Sequence, residues 1–180
     1  NPTLAAALKA AGYVTGIFGK WHLEAGSGTR PGDQGFDVVH ESRHSWPARD
    51  PEAEVLPVCA ELGIGFVPWS PLGQGFLTGT VARGESFAAN DIRSRFPRFS
   101  PQALEANQPI VDLVTEIAGR KQVTPGQVAL AWLLAKSPSI VPIPGSRRPE
   151  RVTENIQAAE VTLTADEVAE IDARSGQLTV

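Results

Sequence analysis

The feature that most constrains the fold is a repeated order of elements after residue 50. Short apolar runs at residues 63–69 and 140–143 are each followed by a loop rich in Gly or Pro and then by a helical pattern. Alternation of this kind is typical of β/α units on a parallel sheet. We therefore predict an α/β fold in which the loops after the two runs lie on one face of the sheet.

Local signals at the ends of the helical patterns define where the helices begin. Thr124, Pro125 and Gln127 supply an N-cap, a first helical residue and the third position of a capping box. Thr164 and Glu167 form a second capping box. The predicted helices span residues 52–62, 101–120, 125–136, 149–158 and 165–176.

The length of the regular region limits how much of a barrel it can form. A (β/α)8 barrel takes about 250 residues, and residues 46–180 amount to roughly half of one. We predict a partial (β/α) TIM barrel there, with residues 1–45 as an extension and junction containing a helix at 3–11 and a strand at 13–18. An open sheet edge must be covered by the N-terminal segment or by a second copy, so we expect a homo-oligomer.

Composition excludes several classes of partner. The formal net charge is -4, so no global field attracts nucleic acid or an anionic membrane. No apolar run reaches the roughly 20 residues of a membrane helix, and no signal peptide is visible. The one cysteine, Cys59, cannot form an intrachain disulfide, and we expect a cytoplasmic protein. The chain has no Met, so we expect a fragment or a truncated start.

Two loops carry residues suited to a nucleotide. The first loop (residues 69–79) contains three glycines, which let the backbone approach a pyrophosphate, and begins at Trp69, whose flat face suits an aromatic ring. The second loop (residues 143–151) places a serine and three arginines at the start of a helix, where dipole, amides and guanidinium groups favour phosphate. Each loop taken alone is equally compatible with an ordinary turn.

Four stretches in this region resemble consecutive pieces of bacterial aldo/keto reductases: GIGFVPWSPLGQGFLTG, PRFSPQALEANQPIVDLV, VTPGQVALAWLLAKSPSIVPIPGSRRPERVTENI and LTADEVAEID. The resemblance implies a (β/α)8 barrel that reduces a small-molecule carbonyl substrate with NADPH. Trp69 matches the residue that stacks on the nicotinamide. The positions that match the other NADP(H) contacts are Ser70, Leu72, Gly73 and Gln74 for the pyrophosphate, Ser146, Arg147 and Arg151 for the 2′-phosphate, and Glu154 and Asn155 for the adenine.

The catalytic half of that family has no counterpart in this sequence. The family's Asp, Tyr, Lys and His tetrad lies on earlier strands that are not present here, and the only tyrosine, Tyr13, sits in a different motif. We therefore expect an NADP(H)-binding, oxidoreductase-like chain with impaired carbonyl reduction and no identified catalytic residue. A non-catalytic or merely structural fragment is the alternative.

The N-terminal residues carry a second resemblance. TLAAALKAAGYVTGIFGKWH, continued by the Gly-Phe-Asp at 35–37, is similar to the second signature of sulfatases. That likeness implies that Lys20 and His22 contact a sulfate ester. The C/S-x-P-x-R motif that sulfatases need is absent, so we expect no such activity. The chain resembles pieces of two genes joined near residues 38–46.

A metal-like motif falls in this junction. His40, Glu41 and His44 match H-E-x-x-H, which on a helix places two imidazoles on one face to bind zinc and a glutamate as general base. A zinc metallohydrolase is therefore an alternative function. Arg43 and Pro47 disfavour it, because zinc helices prefer an uncharged residue there and proline shortens the helix. We expect the motif to be empty. Candidate third ligands are Glu52, Glu54 and Glu61.

Overall fold

The computed structural model of the 180-residue chain describes Ala10 and residues 16–19, 38–41 and 51–178. The chain divides into two compact units, residues 1–67 and residues 68–180. Within the described residues, every helix is too short or too polar to span a lipid bilayer.

The N-terminal unit contains a pair of parallel strands. Strand β1 (Gly16–Gly19) pairs with strand β2 (Val38–Glu41), and the register aligns Gly16 with Val38. Strand β1 overlaps the predicted strand at 13–18. The predicted helix at 3–11 lies outside the described residues except for Ala10, which is helical.

Helix α1 (Pro51–Glu61) completes the described part of this unit and agrees with the predicted helix. The chain leaves it through Gly63, whose φ of 65° is left-handed, as is common directly after a helix. Cys59 is fully buried on this helix, and burial raises the pKa of its thiol. The thiol is therefore protonated and unreactive at neutral pH. This agrees with the predicted helix, in which Cys59 is a small buried apolar side chain.

In the C-terminal unit, the described residues form four α-helices at the predicted positions. They are α2 (Pro101–Lys121), α3 (Pro125–Lys136), α4 (Pro149–Gln157) and α5 (Ala165–Ser175). Both predicted capping boxes are complete, since the Thr124 and Thr164 hydroxyls each accept from the amide three residues later. These caps satisfy amides that the helix itself leaves without acceptors. The predicted starts of α3 and α5 are therefore confirmed.

The core of the C-terminal unit forms around one face of helix α2. Ile110, Val114 and Ile117 recur at the three- and four-residue spacing of a buried helical face. They belong to one buried cluster with Val128 of α3 and Ile171 of α5. Three helices therefore enclose this core.

The two predicted strands are reduced to isolated bridges in the described residues. Trp69 pairs with Ile143 in parallel, and the Ile143 amide donates to the Pro68 carbonyl at 3.2 Å. Prolines at 68, 142 and 144 have no N–H, so the ladder cannot extend regularly past this point. Residues 51–178 thus form helices and loops with no barrel sheet, where we predicted two strands.

Candidate functional site

Trp69 begins the first loop and is available to a ligand. Its side chain is 57 % exposed although its backbone takes part in the bridge to Ile143. A large exposed indole is unusual enough on a protein surface to suggest a contact with another molecule. The structure therefore leaves the ring face free, as stacking on an aromatic ligand requires.

The backbone of the first loop coils back on itself. The Gly73 amide donates to the Ser70 carbonyl at 2.9 Å, and Leu77 donates to the Leu72 carbonyl at 3.3 Å. Gly73 has a left-handed φ of 56°, which suits a glycine. Ser70 and Gln74 have φ values of 52° and 56°, a conformation that costs a side-chain-bearing residue about 1 kcal/mol or more. Strain of this kind is concentrated at ligand sites.

The side chain of Gln74 ends in a buried acceptor. Its Oε1 atom has no hydrogen-bond partner among the described residues. A buried acceptor without a partner costs about 1–3 kcal/mol, so a donor from a ligand would stabilise it. This oxygen suits a ligand hydroxyl or amide N–H, whereas a pyrophosphate oxygen would have to be bound by the loop amides.

The second loop exposes two cations at the start of helix α4. Ser146 Oγ accepts from the Arg148 amide at 3.1 Å and donates to the Arg148 carbonyl at 3.3 Å, which fixes the turn before the helix. Arg147 and Arg148 are exposed, and neither forms an ion pair within the described residues. A phosphate dianion would find two uncommitted guanidinium groups here.

Further along α4, Arg151 and Glu154 form an ion pair. Arg151 Nη1 lies 2.7 Å from Glu154 Oε2, and both side chains are partly buried. Glu154 Oε1 accepts from the Thr124 hydroxyl at 2.8 Å, and its carbonyl accepts from Gln127 Nε2 at 3.0 Å. Asn155 follows and is half-buried. The Glu154 carboxylate therefore links α4 to the start of α3 and also binds the Arg151 guanidinium.

The first loop and helix α4 meet at Gly126. A Cβ atom built on Gly126 would lie 3.8 Å from Leu72 Cδ2 and 3.8 Å from Glu154 Oε1. The first and second loops are joined at their beginnings by the bridge between Trp69 and Ile143. Of the residues that the sequence analysis assigned to one nucleotide, the structure therefore places Leu72 and Glu154 next to Gly126, although the two lie far apart in the chain.

The structure describes only part of the zinc motif. It requires a helix over residues 38–46, but His40 and Glu41 belong to strand β2. On a strand, residues four apart do not have the close helical spacing that two zinc ligands need. His44 lies outside the described residues, as do Lys20 and His22. Within the part of the chain that the structure describes, no three His, Cys, Asp or Glu residues are grouped to bind a metal.

Sequence reasoning missed a cleft next to the start of α2. Its volume is about 440 Å³, and it lies between residues 85–87 and 94–101. None of its lining residues belongs to the two loops. The signal that could have revealed it is the repeated phenylalanine at positions 87, 96 and 99 in an otherwise polar segment.

Comparison with known families and sequences gives a consistent result. The model of the aldo/keto reductase family matches residues 34–175. A probable aldo-keto reductase 1 of Glycine max is 41% identical over 123 residues, which cover 68% of this chain and 35% of that protein. An aldo-keto reductase of Strobilurus tenacellus is 38% identical over 122 residues, covering 68% and 36%. The chain thus spans about a third of the length of these relatives.

Solved structures share the fold over most of the chain. The glycerol dehydrogenase of Gluconobacter oxydans superimposes with a TM-score of 0.63 at 22% identity, covering 73% of this chain and 40% of that one. A thermostable aldo-keto reductase solved with the inhibitor epalrestat gives a TM-score of 0.51 at 24% identity, covering 79% and 42%. The match to this chain is therefore to part of each of those structures.

Proposed function

Because the chain belongs to the aldo/keto reductase family, we propose that its C-terminal unit binds NADP(H) through the first loop and helix α4. The observation that carries the proposal is the convergence of Leu72 and Glu154 on Gly126. That convergence gives one ligand access to both segments. The family is one of oxidoreductases that generally use NAD(P)H, and its relatives here are aldo-keto reductases by name.

Each part of the cofactor has suitable partners in this arrangement. The exposed face of Trp69 would stack on the nicotinamide. The first loop, which contains Ser70, Leu72, Gly73 and Gln74, would bind the pyrophosphate through amides other than that of Gly73, which donates to the Ser70 carbonyl. Ser146, Arg147 and Arg151 would hold the 2′-phosphate, and Glu154 and Asn155 would contact the adenine. When bound, the cofactor would supply a hydride.

We propose that the 2′-phosphate gives the site a preference for NADPH over NADH. Arg147 and Arg148 are exposed and free of ion pairs in the described residues, so binding a phosphate would break no existing pair. The dianion also lies where the amides at the start of α4 favour negative charge. NADH has a hydroxyl at the same position and gains little from these groups.

We further propose that carbonyl reduction by this chain alone is slow. The family's proton donor and its partners have no counterpart in the sequence. Positioned acid–base catalysis is worth roughly 10²–10⁴-fold. A bound nucleotide without its proton donor would therefore turn over a small carbonyl substrate only poorly.

The decisive experiment is a titration of the purified chain with NADPH, followed by nucleotide fluorescence. Energy transfer from tryptophan should be strong in the wild type and reduced in Trp69→Leu. Trp132→Phe is the matched control, because Trp132 lies on α3 and bonds to Asp172. Failure of the wild type to bind either nucleotide at millimolar concentration would support the structural-fragment alternative.

We propose that the C-terminal unit associates with a second copy of the chain. Val141 and Ile143 alternate on extended backbone, and Val152 and Ile156 lie four residues apart on α4. All four are at least 43% exposed. Apolar groups and incomplete strand pairing in one unit favour self-association over an isolated monomer.

We also infer that the sulfatase-like N-terminal segment has no sulfatase activity and that the chain is chimeric. Support comes from the missing C/S-x-P-x-R motif, whereas the family match begins at residue 34, earlier than the predicted boundary at residue 46. A cytoplasmic setting suits the proposal, because Cys59 is a free, buried thiol and NADP(H) is a cofactor of reducing compartments.

A further inference from the structure

We propose that the cleft beside the start of α2, the aromatic cleft, binds a small aromatic monocarboxylate. Its apolar wall consists of Phe87, Phe96 and Phe99, and its polar wall includes Arg95 and Ser86. Its volume of about 440 Å³ falls in the range of small-molecule sites, roughly 300–1,000 Å³. This proposal does not depend on the NADP(H) site, which uses other residues.

The apolar wall is held in place by contacts within its own segment. Phe87 and Phe99 form an edge-to-face pair with ring centroids 5.5 Å apart. The Arg93 guanidinium lies 4.2 Å from the Phe87 ring centroid, and Asp91 binds that guanidinium through both oxygens. Rings fixed in this way need not be ordered when a planar ligand binds at the edge of this wall.

The charge that selects the ligand comes from Arg95. Two neighbouring arginines already form ion pairs. Arg83 pairs with Asp112 at 2.6 Å, and Arg93 pairs with Asp91 at 2.7 Å. Arg95 is exposed and forms no ion pair or hydrogen bond through its side chain with any residue that the structure describes. It is the cation of the aromatic cleft that remains available to a carboxylate.

A second charge in the cleft limits the ligand to one negative group. Glu85 also lines it, and its Oε2 atom accepts from the Ala82 amide at 2.8 Å. One arginine and one glutamate leave the cleft nearly neutral, so the second negative charge of a phosphate dianion or a dicarboxylate would have no partner there. A single carboxylate on an aromatic body satisfies both the charge and the phenylalanine wall.

The test uses the full-length chain and cinnamate as the probe, measured by isothermal titration calorimetry. Arg95→Gln should weaken cinnamate binding about tenfold or more, the effect of losing a charge-assisted contact. Glu85→Gln keeps an acceptor for the Ala82 amide and should tighten binding. The matched control is Arg98→Gln, because the Arg98 guanidinium lies over Phe96 without lining the cleft.

Two further measurements decide the outcome. Cinnamyl alcohol, which has the same ring without the charge, should bind the wild type at least tenfold more weakly than cinnamate. Thermal melts of each variant establish that it is folded. Equal affinity of wild type and a folded Arg95→Gln for cinnamate, or no cinnamate binding by the wild type, would overturn the proposal.

Discussion

Arg151 donates to Glu154 across one turn of helix α4, with 2.7 Å between Nη1 and Oε2. The arginine that the sequence assigns to the 2′-phosphate is thus held by the glutamate that the sequence assigns to the adenine. Such a pair orients the guanidinium before a ligand arrives, although it also offsets part of its charge.

Replacement of Arg151 by Ala should weaken NADPH binding by about 1–3 kcal/mol and hardly change NADH binding, because only NADPH carries the 2′-phosphate. Fluorescence titration of both nucleotides measures the difference. Arg174→Ala, at the exposed end of α5, is the matched control. Equal affinity of the wild type for the two cofactors would contradict the assignment.

Carbonyl reduction should be absent or very slow with simple aldehydes and NADPH, since the sequence lacks the family's tetrad. The measurement is the loss of NADPH absorbance under saturating cofactor. A normal reductase rate that survives Tyr13→Phe would refute this prediction. Loss of such a rate in that variant would instead identify Tyr13 as a replacement proton donor.

The purified chain should be a dimer or larger at low micromolar concentration. Light scattering measures the mass directly. Ile156→Glu replaces an apolar side chain that is 68% exposed by a charged one. We expect this change to shift the population towards monomer. Glu150→Gln, exposed at the other end of α4, should leave the mass unchanged. A monodisperse wild-type monomer would argue against association.

Zinc should be substoichiometric after purification without a His-tag, and a chelator should not lower the melting temperature. The physical reason is that His40 and Glu41 lie on strand β2, where the helical spacing of the motif is lost. Metal analysis by mass spectrometry measures the content. One tightly bound zinc per chain, with hydrolytic activity abolished by Glu41→Gln, would restore the alternative.

Acid should weaken the start of helix α5 through Glu167. Desolvation opposes ionisation there, but hydrogen bonds from Lys121 and the Thr164 amide prevail and lower the pKa of this carboxyl. A lowered pKa in the folded state means stabilisation that is present above the ordinary value of 4.5 and is lost as pH falls through the folded value.

Glu167→Gln keeps the capping box but loses the ion pair with Lys121, whose Nζ lies 2.8 Å from Oε2. We expect a loss of about 0.5–1 kcal/mol in the free energy of unfolding at pH 7 and a smaller loss at pH 3. Urea denaturation at the two pH values measures it. Glu170→Gln, exposed on the same helix, is the control, and an equal loss at both pH values would show that the charge is irrelevant.

Sequence reasoning succeeded where the determining chemistry is local. Thr124 and Thr164 predict their helix starts because a capping box involves residues three positions apart. The run ending at Trp69 was predicted as a strand, but strand formation depends on partners elsewhere in the chain and on prolines that remove donors. Strand β2 was missed for the same reason, because its partner is strand β1.

The sequence supplied candidate residues for the site but not their arrangement. The resemblance assigned Leu72 and Glu154 to one cofactor, whereas their approach to Gly126 depends on how α3 packs. The pairing of Arg151 with Glu154 follows from three-residue spacing on a helix and could have been expected. The aromatic cleft was missed because its walls come from separate turns of an irregular segment, although its three phenylalanines are visible in the sequence.

The two contacts of the Glu154 carboxylate affect what a glutamate at this position indicates in other proteins. Its carboxylate receives the Thr124 hydroxyl and the Arg151 guanidinium, so helix α4 is joined to α3 by the same group that would meet a nucleotide. Selection for folding and selection for binding therefore act on one side chain. A relative that no longer binds the nucleotide would still need this glutamate to join the two helices. A glutamate at this position is therefore weak evidence that a relative binds a cofactor.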